Sequence, residues 1–118
     1  MQRVPDASRG EVLRVIRRDH SAAEFDRVLS ILDEYGVEPW ERERDRVQLA
    51  VLKLAGGRVD EVRRQVDAAK RDYRDALAQA EYPENLRCLA PSRSLSAGER
   101  EAMDDRDWDQ YARWLARS

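Results

Sequence analysis

Asp72 and Asp75 come nearest to a catalytic or metal-binding pattern in this chain of 118 residues. Three residues apart on a helix, they lie on one face, where two carboxylates can share a proton or a divalent ion. Acid–base chemistry also needs a cleft, and the surrounding pattern indicates none, while Arg71 and Arg74 can pair with both acids. A metal-dependent enzyme using Asp72 and Asp75 is therefore a third hypothesis, and no catalytic residue is assigned.

His20 and Cys88 are the only histidine and the only cysteine. One histidine cannot supply the two Glu-x-x-His motifs of a di-iron bundle, and one cysteine cannot form an intramolecular disulfide. We expect His20 to have a structural or exposed role at a helix junction, and Cys88 to be a small buried hydrophobic residue. The sequence predicts no metal site and no cofactor.

The charged residues, 22 basic and 24 acidic, are interleaved along the chain. Twenty of the basic residues are arginines, which indicates a GC-rich bacterial genome. Arg14, Arg17 and Arg18 cluster on the first predicted helix and support an alternative hypothesis, that of a nucleic-acid-binding helical protein. The first twenty residues carry five arginines against three acids, a smaller excess than phosphate binding usually requires.

The aromatic residues near the C-terminus favour a different function, the binding of another protein. Tryptophan and tyrosine are enriched in protein interfaces because they combine a large apolar area with a polar group. The leading hypothesis is therefore a small interaction or adaptor module whose partner is another protein, a second copy of the chain included. The candidate partner-binding residues are Tyr73, Leu77, Tyr82, Trp108, Tyr111 and Trp114.

Capping patterns predict where three helices begin. Serine and glutamate three residues apart can each satisfy a free backbone N–H, and this spacing occurs at Ser8, Ser21 and Ser96. The first helix should run from Arg9 to about residue 20, and the second from about residue 22 to Gly36. Val37 should then fold back against the second helix in a Schellman motif.

The central pattern predicts a helical hairpin. A third helix, residues 39–55, and a fourth, residues 59–82, meet at Gly56 and Gly57, which favour a tight turn. At about 1.5 Å per residue the fourth helix should be about 36 Å long and the third about 26 Å. The end of the fourth, residues 73–82, should therefore extend beyond its partner, and the C-terminal helix or the segment 86–89 should cover it.

The fold class follows from these elements. We predict one all-α domain, residues 1–118, in which a compact bundle of four to five helices surrounds the antiparallel hairpin 39–55 and 59–82. No apolar run approaches the length of a signal peptide or a membrane span, so a cytoplasmic location is expected.

Residues 43–57 and 69–77 with 80–83 also carry a resemblance. They read ERDRVQLAVLKLAGG, AKRDYRDAL and AEYP, and they resemble a family of small uncharacterised bacterial all-helical proteins. The resemblance implies a helical bacterial protein and assigns no functional residue.

Overall fold

The computed structural model describes residues 5, 7–88 and 94–118, which form an all-α globule with a single apolar core. A short 3₁₀ turn, Ala22–Glu24, precedes α2. The seven helices are α1 Arg9–Asp19, α2 Phe25–Leu32, α3 Arg44–Ala55, α4 Val59–Arg71, α5 Tyr73–Glu81, α6 Pro83–Arg87 and α7 Ala97–Ala116. None of the described helices is both long enough and apolar enough to cross a bilayer.

The hairpin of α3 and α4 is present, and its helices pack against each other at the centre of the fold. Gly56 and Gly57 form the turn in the left-handed region, with φ of 60° and 82°. Every residue of α3 from Val47 to Leu52 is buried, as expected for a helix with neighbours on all sides.

The prediction of one continuous helix over residues 59–82 is wrong, because the helix is interrupted at Asp72. Asp72 adopts φ −159° and ψ 94°, and its Oδ1 accepts hydrogen bonds from the backbone N–H groups of Arg74 (3.2 Å) and Asp75 (3.4 Å). It is thus the N-cap of a new helix, α5. α5 packs on α3, so residues 73–81 do not form the predicted overhang beyond the third helix.

The predicted start of the third helix at Pro39 is also wrong, since α3 begins at Arg44. Glu41 folds the preceding segment into a loop by accepting three backbone N–H bonds, and Glu43 adopts a left-handed conformation with φ 53°. The second helix ends at Leu32 instead of Gly36. Val37 is 70% exposed, so it does not fold back against α2.

The helix starts predicted from capping patterns are confirmed. The hydroxyls of Ser8 and Ser96 accept bonds from the N–H groups three residues on, and Ser21 forms a complete capping box with Glu24. The bundle nevertheless has more helices than the four to five predicted. Two of the additional helices, α5 and α6, arise where the chain restarts after Asp72 and at Pro83.

Candidate functional site

A wide groove of about 1110 Å³ runs between α5, α6 and the first half of α7. Its lining combines apolar and aromatic side chains, which come from α5, α6, α7 and the residues beside them, with acidic residues, most of which lie on α7. We call it the acidic groove; its lining residues are Pro5, Ala78, Glu81, Tyr82, Asn85, Leu86, Ala97, Arg100, Glu101, Asp104, Asp105, Trp108 and Tyr111.

The buried carboxylate of Asp107 fixes one wall of the acidic groove. It accepts hydrogen bonds from the backbone N–H groups of Glu84 (2.9 Å) and Asn85 (3.0 Å), and from Asn85 Nδ2 (2.7 Å). These bonds satisfy the free amides of the first turn of α6 and tie it to α7. A Glu84–Arg106 ion pair at 2.6 Å adds a second connection. Leu86, which is 49% exposed, is thereby held at the groove.

An ion pair lies beneath the groove. Glu81 is almost completely buried and receives two hydrogen bonds from the Arg46 guanidinium, at 2.8 and 2.5 Å. Arg46 Nη2 also donates to the Tyr82 hydroxyl at 2.9 Å, and Glu81 holds the pKa of Arg46 above its usual range. The Tyr111 hydroxyl is buried with no hydrogen-bond partner among the described residues, and burial raises its pKa. This base fixes Tyr82, and with it the position of the groove.

The rim of the acidic groove is strongly negative. Residues 97–109 of α7 contain six acidic residues and two arginines. Of these acids, Glu101, Asp104 and Asp105 line the groove, and Arg100 is the one basic residue among its described lining residues. The arrangement offers apolar contacts at the base and carboxylates at the edge.

The predicted partner-binding residues are divided between the groove and other parts of the molecule. Tyr82 and Trp108 line the acidic groove. Leu77, Tyr111 and Trp114 belong to the buried core, although Tyr111 reaches the base of the groove. Tyr73 lies at the start of α5, away from the groove. Segment 86–89 was predicted to cover the end of the fourth helix, and the exposure of Leu86 was not predicted. The acidic spacing on α7 was the signal that could have indicated the rim.

The first-helix arginines contact the other end of α7. Arg14 donates to the carbonyls of Leu115 and Arg117, and Arg18 donates to those of Trp114, Leu115 and Arg117. These bonds satisfy the free carbonyls at the C-terminus of the helix. The third residue, Arg17, is exposed and stacks over a phenylalanine ring at 5.2 Å. If Arg14 and Arg18 bound phosphate, they would have to give up their hydrogen bonds to the C-terminal carbonyls of α7.

A second exposed apolar patch lies on the loop between α2 and α3. Trp40 is 65% exposed and Val37 is 70% exposed. The loop is held by Glu41, whose Oε1 accepts the backbone N–H groups of three residues and whose Oε2 accepts Lys70 Nζ at 2.7 Å. This exposure was not predicted from the sequence, because Trp40 was expected in the third helix and Val37 was expected to pack against the second.

The remaining candidate residues have local roles in the structure. Asp72 caps α5, and Asp75 accepts a bond from Gln79. His20 is buried, and neither ring nitrogen has a hydrogen-bond partner among the described residues. Cys88 is partly buried. In the described part of the chain, no group of three or more His, Cys, Asp or Glu side chains is arranged to hold a metal ion.

Comparison of the chain with protein-family models, with curated proteins and with solved structures gives no significant match.

Proposed function

We propose that this protein is an interaction module that binds a basic, amphipathic helical segment of another protein in the acidic groove. The observation that carries the proposal is the position of half-exposed Leu86 on the wall of a groove that is also lined by Glu101 and Asp104. The binding mode is that of an amphipathic helix in a groove, which uses apolar anchors three and four residues apart.

The apolar part of the groove supplies the binding free energy. Burying the exposed half of Leu86 contributes about 0.8–1.5 kcal/mol, which is half of the value for a whole leucine side chain. Groove-lining tyrosine and tryptophan side chains add large contact areas. The wall is held in place by Asp107, so little conformational entropy is lost at α6 when a partner binds. A rigid apolar wall of this kind is typical of the central contacts in protein interfaces.

The acidic rim determines which partner is accepted. Carboxylates around an apolar groove attract a cationic segment and repel an anionic one, which affects specificity and association rate more than final affinity. A partner helix should therefore carry lysine or arginine beside its apolar stripe.

The direct test measures the fluorescence anisotropy of a labelled synthetic peptide about five turns long, with leucines at helical spacing and lysines elsewhere. We expect saturable binding with a Kd of about 1–10 µM. A peptide with glutamates in place of lysines, and a scrambled leucine–lysine peptide, should bind at least about tenfold more weakly.

Variants of the protein connect the binding to the groove. Leu86→Ser should weaken binding of the leucine–lysine peptide about tenfold, because the central apolar contact is lost. Glu101→Gln should weaken it about threefold, since an exposed charge contributes less. Glu99→Gln is the matched control: it removes the same charge from the first turn of α7 at a residue that does not line the groove, and should leave the Kd unchanged. Equal effects of the two glutamate variants, or equal binding of the scrambled peptide, would refute the proposal.

Photo-crosslinking in the native host identifies the chemistry of the partner. A photoreactive residue at position 86 should attach to segments rich in lysine and arginine with apolar residues at steps of three and four, and one at exposed Arg27 on α2 should not. Crosslinks from position 86 to this chain alone, together with a stable dimer in light scattering, would show that a second copy occupies the groove and would overturn the assignment.

A further inference from the structure

A second cleft, of about 830 Å³, lies between the α3–α4 turn and the last two turns of α7, and shares no lining residue with the acidic groove. Four of its side chains are cationic and one is acidic. We call it the basic cleft; its lining residues are Arg18, Asp19, Lys53, Gly56, Gly57, Gln110, Arg113, Trp114 and Arg117.

The single acid of the basic cleft is already neutralised. Asp19 receives two hydrogen bonds from the Arg18 guanidinium, at 2.7 and 3.1 Å. By contrast, the Lys53 ammonium and the guanidinium groups of Arg113 and Arg117 make no hydrogen bond or ion pair with the described residues. Three cations that have no hydrogen-bond or ion-pair partner in the described part of the chain thus line one cleft.

Lys53 is the most informative of these cations. Lysine is rarely buried without a partner, yet this side chain is only partly exposed. Burial lowers its pKa; the negative charge of Asp107 opposes this effect, and the positive charge of Arg117 adds to it. The last effect shows that Lys53 and Arg117 are close enough to repel each other. An anion between them would replace this repulsion with attraction.

The other walls of the cleft suit a small ligand. Gly56 and Gly57 have no side chains, so a ligand can approach the backbone of the turn, and open space surrounds the position of a side chain at Gly56. The negative end of α7 does not oppose an anion, because Arg14 and Arg18 already bind its last carbonyls. The volume lies within the range of small-molecule sites.

From this arrangement we infer that the basic cleft binds a small oxyanion with two or more negative charges, held by Lys53, Arg113 and Arg117. Arginine offers forked donors that match the oxygens of phosphate or carboxylate, and lysine adds a point charge. Phosphate esters and polycarboxylates share this chemistry.

Isothermal titration calorimetry of the full chain with inorganic pyrophosphate tests the inference, with chloride salt adjusted to constant ionic strength. We expect saturable binding at one site with a Kd at or below about 1 mM. Citrate serves as the second probe: tighter binding of pyrophosphate would indicate a phosphoryl ligand, and tighter binding of citrate a polycarboxylate.

Three variants locate the site. Arg113→Gln and Lys53→Gln should each weaken pyrophosphate binding about tenfold, because a charge-assisted hydrogen bond is lost. Arg113 is exposed, so its variant tests the site even if replacement of the partly buried Lys53 impairs folding. Arg27→Gln removes an equal charge from α2, outside the cleft, and should leave binding unchanged. Absence of saturable binding with both probes, or an equal loss in Arg27→Gln and Arg113→Gln, would overturn the inference.

Discussion

Replacement of Glu41 by glutamine tests how the exposed loop between α2 and α3 is held. Glu41 Oε1 accepts the backbone N–H groups of Gly36 (3.0 Å), Val37 (3.1 Å) and Glu38 (3.3 Å), and Oε2 accepts Lys70 Nζ at 2.7 Å. The carboxylate is almost fully buried. A buried charge is tolerated only when its hydrogen bonds are satisfied, and here both oxygens are.

The expected cost follows from the two sides of this carboxylate. Glutamine has the same shape, so its carbonyl oxygen can keep the three backbone bonds as a neutral acceptor, while its NH₂ group faces the Lys70 ammonium, donor against donor. Breaking a fully buried ion pair costs about 3–5 kcal/mol. Because the Lys70 side chain is 35% exposed and can turn to water, we expect a loss of about 2–3 kcal/mol in the free energy of unfolding.

The effect should depend on pH with a defined sign. Burial tends to raise the pKa of Glu41, but hydrogen bonds from Lys70 and from three backbone N–H groups outweigh it and hold the pKa below the usual 4.5. A depressed carboxyl pKa stabilises the fold at pH values above the unfolded pKa, and this contribution is lost as the pH falls through the folded pKa. The stability difference between wild type and Glu41→Gln should therefore be full at neutral pH and shrink below about pH 4.5.

Urea unfolding followed by circular dichroism measures both quantities, and Glu38→Gln provides the control. Glu38 is exposed in the same loop, so its variant removes an equal charge without touching the buried carboxylate. We expect Glu38→Gln to change stability by less than about 0.5 kcal/mol. An equally mild effect of Glu41→Gln, or an effect that persists unchanged in acid, would refute the proposed role of this carboxylate.

Three further predictions concern the helix cap at Asp72, the buried Glu81–Arg46 pair and the glycine turn between α3 and α4. Each is measured by chemical or thermal unfolding. Asp72→Ala should cost about 1 kcal/mol by removing the N-cap of α5; no loss would contradict the capping role. Glu81→Gln should cost about 3 kcal/mol because it leaves the Arg46 guanidinium without its buried partner, and an apolar double variant, Glu81→Leu with Arg46→Met, should recover much of that loss. Gly57→Ala should cost more than Gly56→Ala: both have positive φ, but the added Cβ at Gly57 would lie 3.2 Å from the last carbonyl oxygen of α1, whereas none of the surrounding atoms is within 4 Å at Gly56.

Some local signals of this sequence predicted the fold correctly and others did not. The serine caps and the Gly56–Gly57 turn, which act within about two turns of helix, were found where predicted. The Schellman motif after Gly36 and the helix start at Pro39 are equally local and were wrong, because the Glu41 carboxylate holds that segment as a loop. The interruption at Asp72 was not predicted because the apolar spacing continues across it, so the periodicity of α4 and α5 resembles that of one helix. The spacing of Asp72 and Asp75 suggested a carboxylate pair. In the structure the Asp72 side chain instead caps α5, the helix that contains Asp75.

The features that the sequence could not show depend on contacts between distant residues. Glu41 holds its loop partly through Lys70, 29 residues further along the chain, and no local pattern indicates such a pair. The candidate site shows the same division. Tyr82 and Trp108 could be selected by residue type, but the exposure of Leu86 depends on how Asp107 ties α6 to α7.

The charge distribution along α7 also limits what can be inferred from that helix alone. Acidic residues gather in its first half, and Arg113 lies in its last turn, which is the distribution that the helix dipole favours in any exposed helix. The two proposed sites therefore do not follow from α7 by itself. Each depends on a residue that another element adds. Leu86 adds an apolar contact to the acidic half, and Lys53 adds to the basic half a cation with no hydrogen-bond partner among the described residues. Variants of Leu86 and Lys53 therefore test binding directly. A charge variant on α7 would also change the favourable interaction between its charged side chains and the helix dipole.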